Sequence, residues 1–187
     1  MDIISDLNAE YNETDRIKGA LPIGLFGSFR RPFLELLKRH FIEKEGFKAR
    51  ISYDLRTKYP KPPEQYQSAY DVFLSERLLE ESRIHIVIFF KEEGGEDGIN
   101  DSATMELGML RTHHKYRSKI GQYSLILCES GYDNRNIGGM RRGIRPYTNK
   151  EWQWHDFDTY EEAKLHATQF GYDCILDYSR RVIFPSY

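Results

Sequence analysis

The chain predicts an α/β fold built on a single parallel sheet of about five strands, with helices on both faces. Three observations carry this reading. Ile84-His85-Ile86-Val87-Ile88-Phe89-Phe90 is a continuous apolar run, the pattern of a central parallel strand covered on both sides. Shorter apolar runs at 21–26 and 123–128 have the same character. Segments with apolar residues at helical spacing separate these runs, and right-handed crossovers then wind the sheet on both faces. The expected architecture is a doubly wound, flavodoxin- or Rossmann-like sheet.

Taken in order, Asp2 to Lys18 is polar and reads as a short surface helix or a loose arm. Residues 1–20 are therefore set apart from one α/β domain over 21–187. Leu21 to Phe26 is the first strand and runs into Gly27-Ser28-Phe29-Arg30-Arg31-Pro32. Pro32 suits a first helical position, Phe33, Leu36, Leu37 and Phe41 form a stripe, and Gly46 suits a helix C-cap. Lys48 to Tyr53 is a short second strand, and Leu55 to Pro63 has no regular pattern. A helix over about Gln65 to Glu81 presents Tyr66, Tyr70, Phe73, Leu74 and Leu78 on one side. After the central strand comes a turn rich in Gly and acid. Asp101 or Ser102 then caps a helix that carries Glu106 in its first turn. Tyr123 to Cys128 is a fourth strand, and alternation around Trp152, Trp154 and Asp156 suggests a further short one. Thr159 to Phe170 reads as the last amphipathic helix, and Cys174 to Phe184 as a candidate edge strand.

Composition narrows the function classes. The 187 residues suffice for one domain with a real core. A net charge of −2 argues against a basic nucleic-acid-binding surface, so no nucleic-acid polymer is expected as partner. Cys128 and Cys174 lie far apart and match no metal spacing, and Cys128 reads as a buried thiol. No metal or other cofactor is expected. No apolar run approaches the ~20 residues of a membrane span, and the polar N-terminus lacks a signal-like apolar region. A cytoplasmic protein without membrane contact is the expectation.

In open α/β sheets ligands sit at the carboxyl ends of the strands, which points to two stretches. Gly27-Ser28-Phe29-Arg30 passes from the first strand to a helix, where backbone N–H groups, the helix dipole and an arginine suit an anion. Glu106 follows the central strand and faces the same crevice, although acids near a helix start also simply favour the dipole. His85, inside the central strand, reads as a hydrogen-bonded core histidine. His113 and His114 are adjacent, so their side chains point apart. The Gly-rich, basic stretch from Glu129 to Tyr147 is long enough to suggest a functional loop.

In this order, these segments resemble the nucleoside 2-deoxyribosyltransferase superfamily, including its 2'-deoxynucleoside 5'-phosphate N-hydrolase branch. Leu25-Phe26-Gly27-Ser28-Phe29-Arg30 is similar to the first-strand Gly-Ser-x-Arg of the hydrolases. Leu74 to Phe90 is similar to the family's helix and central strand, and Met105-Glu106-Leu107-Gly108 to the motif bearing its nucleophilic glutamate. Gly139-Met140-Arg141-Arg142-Gly143 and Trp152 to Phe157 resemble the hydrolase loop and the strand after it. The likeness covers roughly Pro22 to Phe170. The chain departs from the pattern in several places. Ser75 stands where the family has an acid, with Asp71 one turn earlier as a substitute. Asn100 stands six residues before the glutamate, with Asp101 beside it. Gly138 replaces a phosphate-binding serine, and Ser102 and Thr104 replace glycines.

The resemblance implies cleavage or transfer of an N-glycosidic bond in a nucleoside or nucleotide, with Glu106 as nucleophile. Asp71 or Asp101 would hold the glutamate or protonate the leaving base. Gly27, Ser28, Phe29, Arg30, Ser75, Asn100, Ser102, Met140, Arg141 and Arg142 would line the substrate. It also implies a homo-oligomer, since family members complete their pockets with a neighbour's loop. Two alternatives stand beside this reading. One is a nucleotide-binding or signalling module without turnover, and the other an NAD-cleaving enzyme like the similarly built TIR domains.

Overall fold

The computed structural model describes residues 3–27, 31–91, 100–117, 122–132 and 152–183. Five strands form one sheet in the order β2-β1-β3-β4-β5: Ile23–Gly27, Ala49–Ile51, Ile84–Phe89, Tyr123–Glu129 and Trp152–Phe157 are β1 to β5 in chain order. Every neighbouring pair is parallel. The Trp152–Phe157 alternation is thus a genuine fifth strand, at the edge beside β4. The helices are α1 (Ile3–Ala20), α2 (Arg31–Glu43), α3 (Gln67–Glu81), α4 (Asp101–Arg117) and α5 (Tyr160–Tyr178). A 3₁₀ turn over Ser52–Arg56 occupies part of the connection that showed no sequence pattern.

The central strand shows why the sheet is covered twice. Ile84, Ile86 and Ile88 join a core cluster with Leu37 and Phe41 of α2 and Ala163, Ala167 and Phe170 of α5. Val87 and Phe89 point the other way, into a cluster with Leu74 and Leu78 of α3 and Leu107 and Leu110 of α4. A strand turned to two apolar layers has no use for polar alternation. The exception, His85, is fully buried, and both ring nitrogens lie against carbonyl oxygens, Tyr123 O at 3.2 Å and Leu79 O at 3.1 Å. It is the hydrogen-bonded core histidine the sequence suggested. Cys128 and Cys174 are both buried free thiols, and burial pushes the Cys174 thiol well up.

Three expectations need correction. Cys174 to Ile183, the described part of the expected edge strand Cys174 to Phe184, is no strand; Phe184 lies outside the described residues. Cys174 and Ile175 are buried in α5, which runs on to Tyr178 and a π-helical turn over Ser179–Ile183. The apolar residues after Phe170 continue the helical spacing rather than starting a new element. Thr159 is the helix N-cap, as its position suggested, accepting from the Glu162 amide at 3.2 Å. The polar N-terminus is the long helix α1, and Ile17 is buried in the same cluster as β1 and α5. Lys18 secures its end by donating to the Glu45 carbonyl oxygen at 2.7 Å, with the ammonium above the Phe47 and Tyr172 rings. The aromatic side of α3 is also less uniform than its spacing suggested. Tyr70 packs inside, whereas Tyr66, at the N-cap, is 84% exposed.

Gly46 takes the left-handed conformation expected of it, φ 71°, and lets the chain leave α2 for β2. Among the described residues, no helix is long and apolar enough to cross a membrane.

Candidate functional site

The strand order places β1 beside both β2 and β3, so the chain leaves β1 in one direction along the sheet and returns past it in the other. The crevice beyond the carboxyl ends of β1 and β3 is the switch point where doubly wound folds take ligands. Gly27 closes β1 there. A Cβ on it would lie 3.2 Å from the Ile88 carbonyl oxygen, pressing on the backbone of β3, so glycine keeps the two strands close at this end.

The other wall begins at Asn100, whose side chain clasps the end of β3. Its Oδ1 accepts from the Phe90 amide at 2.9 Å and its Nδ2 donates to the Phe90 carbonyl oxygen at 2.8 Å. Its own carbonyl oxygen accepts from Thr104 N at 2.8 Å. Asn100, not Asp101 or Ser102, thus occupies the position before α4. The start of α4 is fastened directly to the strand it follows. The amide of Asn100 is buried, and its oxygen and nitrogen both bond the backbone of Phe90.

Counting from Asp101, Glu106 falls in the second turn of α4 rather than the first. It faces inward and is only 5% exposed. Ser75 of α3, also buried, donates to Glu106 Oε1 at 2.8 Å. Oε2 is buried and has no hydrogen-bond partner among the described residues. Burial pushes the Glu106 carboxyl up to about 8, and the Ser75 hydroxyl and the Gly27 backbone pull only partly against that rise. A carboxylate that merely served the helix dipole would sit exposed and ionised. Glu106 instead is a desolvated acid held on one oxygen, a perturbation concentrated at functional sites.

Three sequence candidates therefore meet: Gly27, Ser75 and Glu106. The two acids proposed to assist Glu106 are exposed, unlike it. Asp71 is half-exposed and pairs with Arg56 at 3.1 Å and with Gln67 Nε2 at 2.8 Å. Asp101 is exposed at the start of α4, and Ser102 beside it is half-buried. Ser28, Phe29, Arg30, Gly138, Met140, Arg141 and Arg142 lie outside the described residues. Sequence reasoning missed Arg56, whose guanidinium stacks 4.0 Å over the Tyr53 ring while holding Asp71. Nothing in the irregular stretch around it signals that role. It also passed over Tyr132, just past the carboxyl end of β4 and stacked on Phe89 at 5.6 Å between centroids.

A groove of about 550 Å³ lies between α3 and α4, lined by Glu76, Leu79, Met109 and His113 among others. Its lining does not include Glu106. Among the described residues, no three His, Cys, Asp or Glu side chains converge as metal ligands. Compared with known proteins, the chain matches no family model, and no curated protein matches it significantly.

Proposed function

We propose that this chain cleaves or transfers the N-glycosidic bond of a nucleoside or nucleotide, with Glu106 as the reacting carboxylate. The observation that carries the proposal is the state of Glu106: buried at the switch point, bonded through Oε1 to Ser75, and without a hydrogen-bond partner at Oε2 among the described residues. Breaking such a bond builds positive charge on the sugar, which a nearby carboxylate stabilises or captures. In the first step Oε2 bonds to the anomeric carbon as the C–N bond breaks. The bonding pair leaves with the base nitrogen, which takes up a proton from solvent water. Water or the ring nitrogen of a second base then attacks the same carbon, gives up its proton and releases the carboxylate. The sequence segments around Gly27 and Glu106 that resemble deoxyribosyltransferases and nucleotide N-hydrolases support the same chemistry, and with it a homo-oligomeric active form.

A specific observation favours a second reading, a nucleotide-binding module without turnover. The position of the family acid holds Ser75, and Asp71 is engaged by Arg56. One experiment separates the two. Purified protein is incubated with nucleosides, deoxynucleoside 5'-phosphates and NAD, and free base is quantified by chromatography. Base released by the wild type and not by Glu106→Gln supports the enzyme. Saturable binding without release from any of them favours the module. Release from NAD alone identifies the NAD-cleaving alternative.

A further inference from the structure

We propose that Ser75 is the positioning residue of this site, its hydroxyl holding Glu106 by Oε1 so that Oε2 is the oxygen presented to the ligand. The inference rests on the reading of Glu106 as the reacting group and adds what keeps that group in place. A carboxyl on a two-carbon stem has two oxygens that a half-turn would exchange, and the side-chain bond made here, 2.8 Å from Ser75 Oγ, goes to Oε1. Both residues are buried, so water competes little for that bond, and a hydrogen bond in such surroundings is stronger than in solvent. The two ends of the bond also sit on separate rigid elements, Ser75 within α3 and Glu106 within α4. The α3 backbone therefore sets the angle at which the carboxyl faces Gly27 and the strand ends.

The choice of a hydroxyl has a chemical consequence. A second carboxylate at this position would stand against Glu106 as a like charge, so the two would share one proton and titrate together. A serine hydroxyl donates in either protonation state of its neighbour and keeps a single acid in the pair. With Glu106 protonated, Oε1 accepts from Ser75 and the proton on Oε2 is available as a donor. With Glu106 ionised, the same bond leaves Oε2 as the nucleophile. Ser75 thus holds one geometry through both states without exchanging a proton itself.

The test reads the carboxyl directly and needs no substrate, so its failure is distinguishable from a failure to find base release. Full-length protein is labelled with carbon-13 at the glutamate side-chain carboxyl, and the Glu106 resonance is assigned by its loss in Glu106→Gln. Ser75→Ala removes a donor to the charged form, so its titration midpoint is expected to rise by about 0.4–1 pH unit. Ser75→Thr restores the hydroxyl and is expected to return the midpoint to within about 0.2 pH unit of the wild type. A midpoint unchanged in Ser75→Ala overturns the proposal, as does a Ser75→Thr midpoint that stays with the alanine variant. Should Ser75→Ala fail to fold, Ser75→Cys, a poorer donor of similar size, takes its place: an upward shift supports the proposal and none overturns it.

Discussion

Asn100 meets Phe90 twice, accepting from its amide and donating to its carbonyl oxygen at 2.9 and 2.8 Å. One amide side chain thereby completes both backbone groups at the end of β3 and fixes where α4 begins. Asn100→Ala leaves a buried donor and a buried acceptor unpaired, each worth about 1–3 kcal/mol. The expected loss is roughly 2–6 kcal/mol in urea unfolding with the slope unchanged. Because α4 carries Glu106, turnover should fall with it. A loss below about half a kcal/mol, the usual scale of surface changes, would mean that the clasp does not hold α4.

For the reaction itself, Glu106→Gln is expected to abolish base release while preserving the fold. The amide is isosteric, and its oxygen can still accept from Ser75. The wild type carries a pH signature of the same group. A nucleophilic carboxylate must be ionised, and burial raises this one to about 8. The logarithm of kcat/KM should therefore climb with slope near one and level off above that pH, and two units lower the rate should be about 100-fold down. A rate that falls through the same range instead assigns Glu106 the role of proton donor.

α1 supplies a prediction about the boundary of the domain. Residues 1–20 read as an appendage, yet Ile17 is 4% exposed and packs with the core beneath α5. Ile17→Ala should cost about 2–5 kcal/mol, the usual range for truncating a buried isoleucine. Thermal unfolding measures it. A change within about half a kcal/mol would restore the loose-arm reading.

Much of this architecture was legible because parallel strands buried on both faces are continuously apolar. Ile84 to Phe90 announced the sheet, and the spacing of helices between strands announced its winding. The end of the chain misled for a local reason. Cys174 and Ile175 are apolar neighbours that fit a strand as easily as a helix, and only the packing of α5 across the sheet decides between them. At the site, Gly27 and Glu106 were visible as residue types at strand ends. The bond between Ser75 and Glu106 was not, since 31 positions separate them and no periodicity links α3 to α4; only the resemblance put Ser75 at the position of an acid near the nucleophile. The bonds from Asn100 to Phe90 are a tertiary fact that its position before α4 does not signal. Asp71 likewise reads as available in the sequence, and only the fold brings Arg56 onto it.

The last prediction concerns stability, and it follows from the cost of keeping an acid in the core. In the unfolded chain Glu106 ionises near its ordinary value of 4.5, whereas in the fold burial holds its proton to about 8. Between those values the native state binds more protons than the unfolded state, so stability falls as pH rises. Below pH 4.5 this group's contribution is fully present, and above about 8 it has been lost. At about 1.4 kcal/mol per pH unit the whole effect is on the order of a few kcal/mol. Glu106→Gln has no proton to lose, so its advantage over the wild type should grow from pH 5 to pH 8 and then level off. Unfolding of both proteins in urea at pH 5, 6.5 and 8 measures that difference. Parallel curves across the range would show that Glu106 is ionised at little cost in the folded protein. A gap that widens with pH would show stability given up to hold a reactive carboxyl away from water, the trade common at active sites.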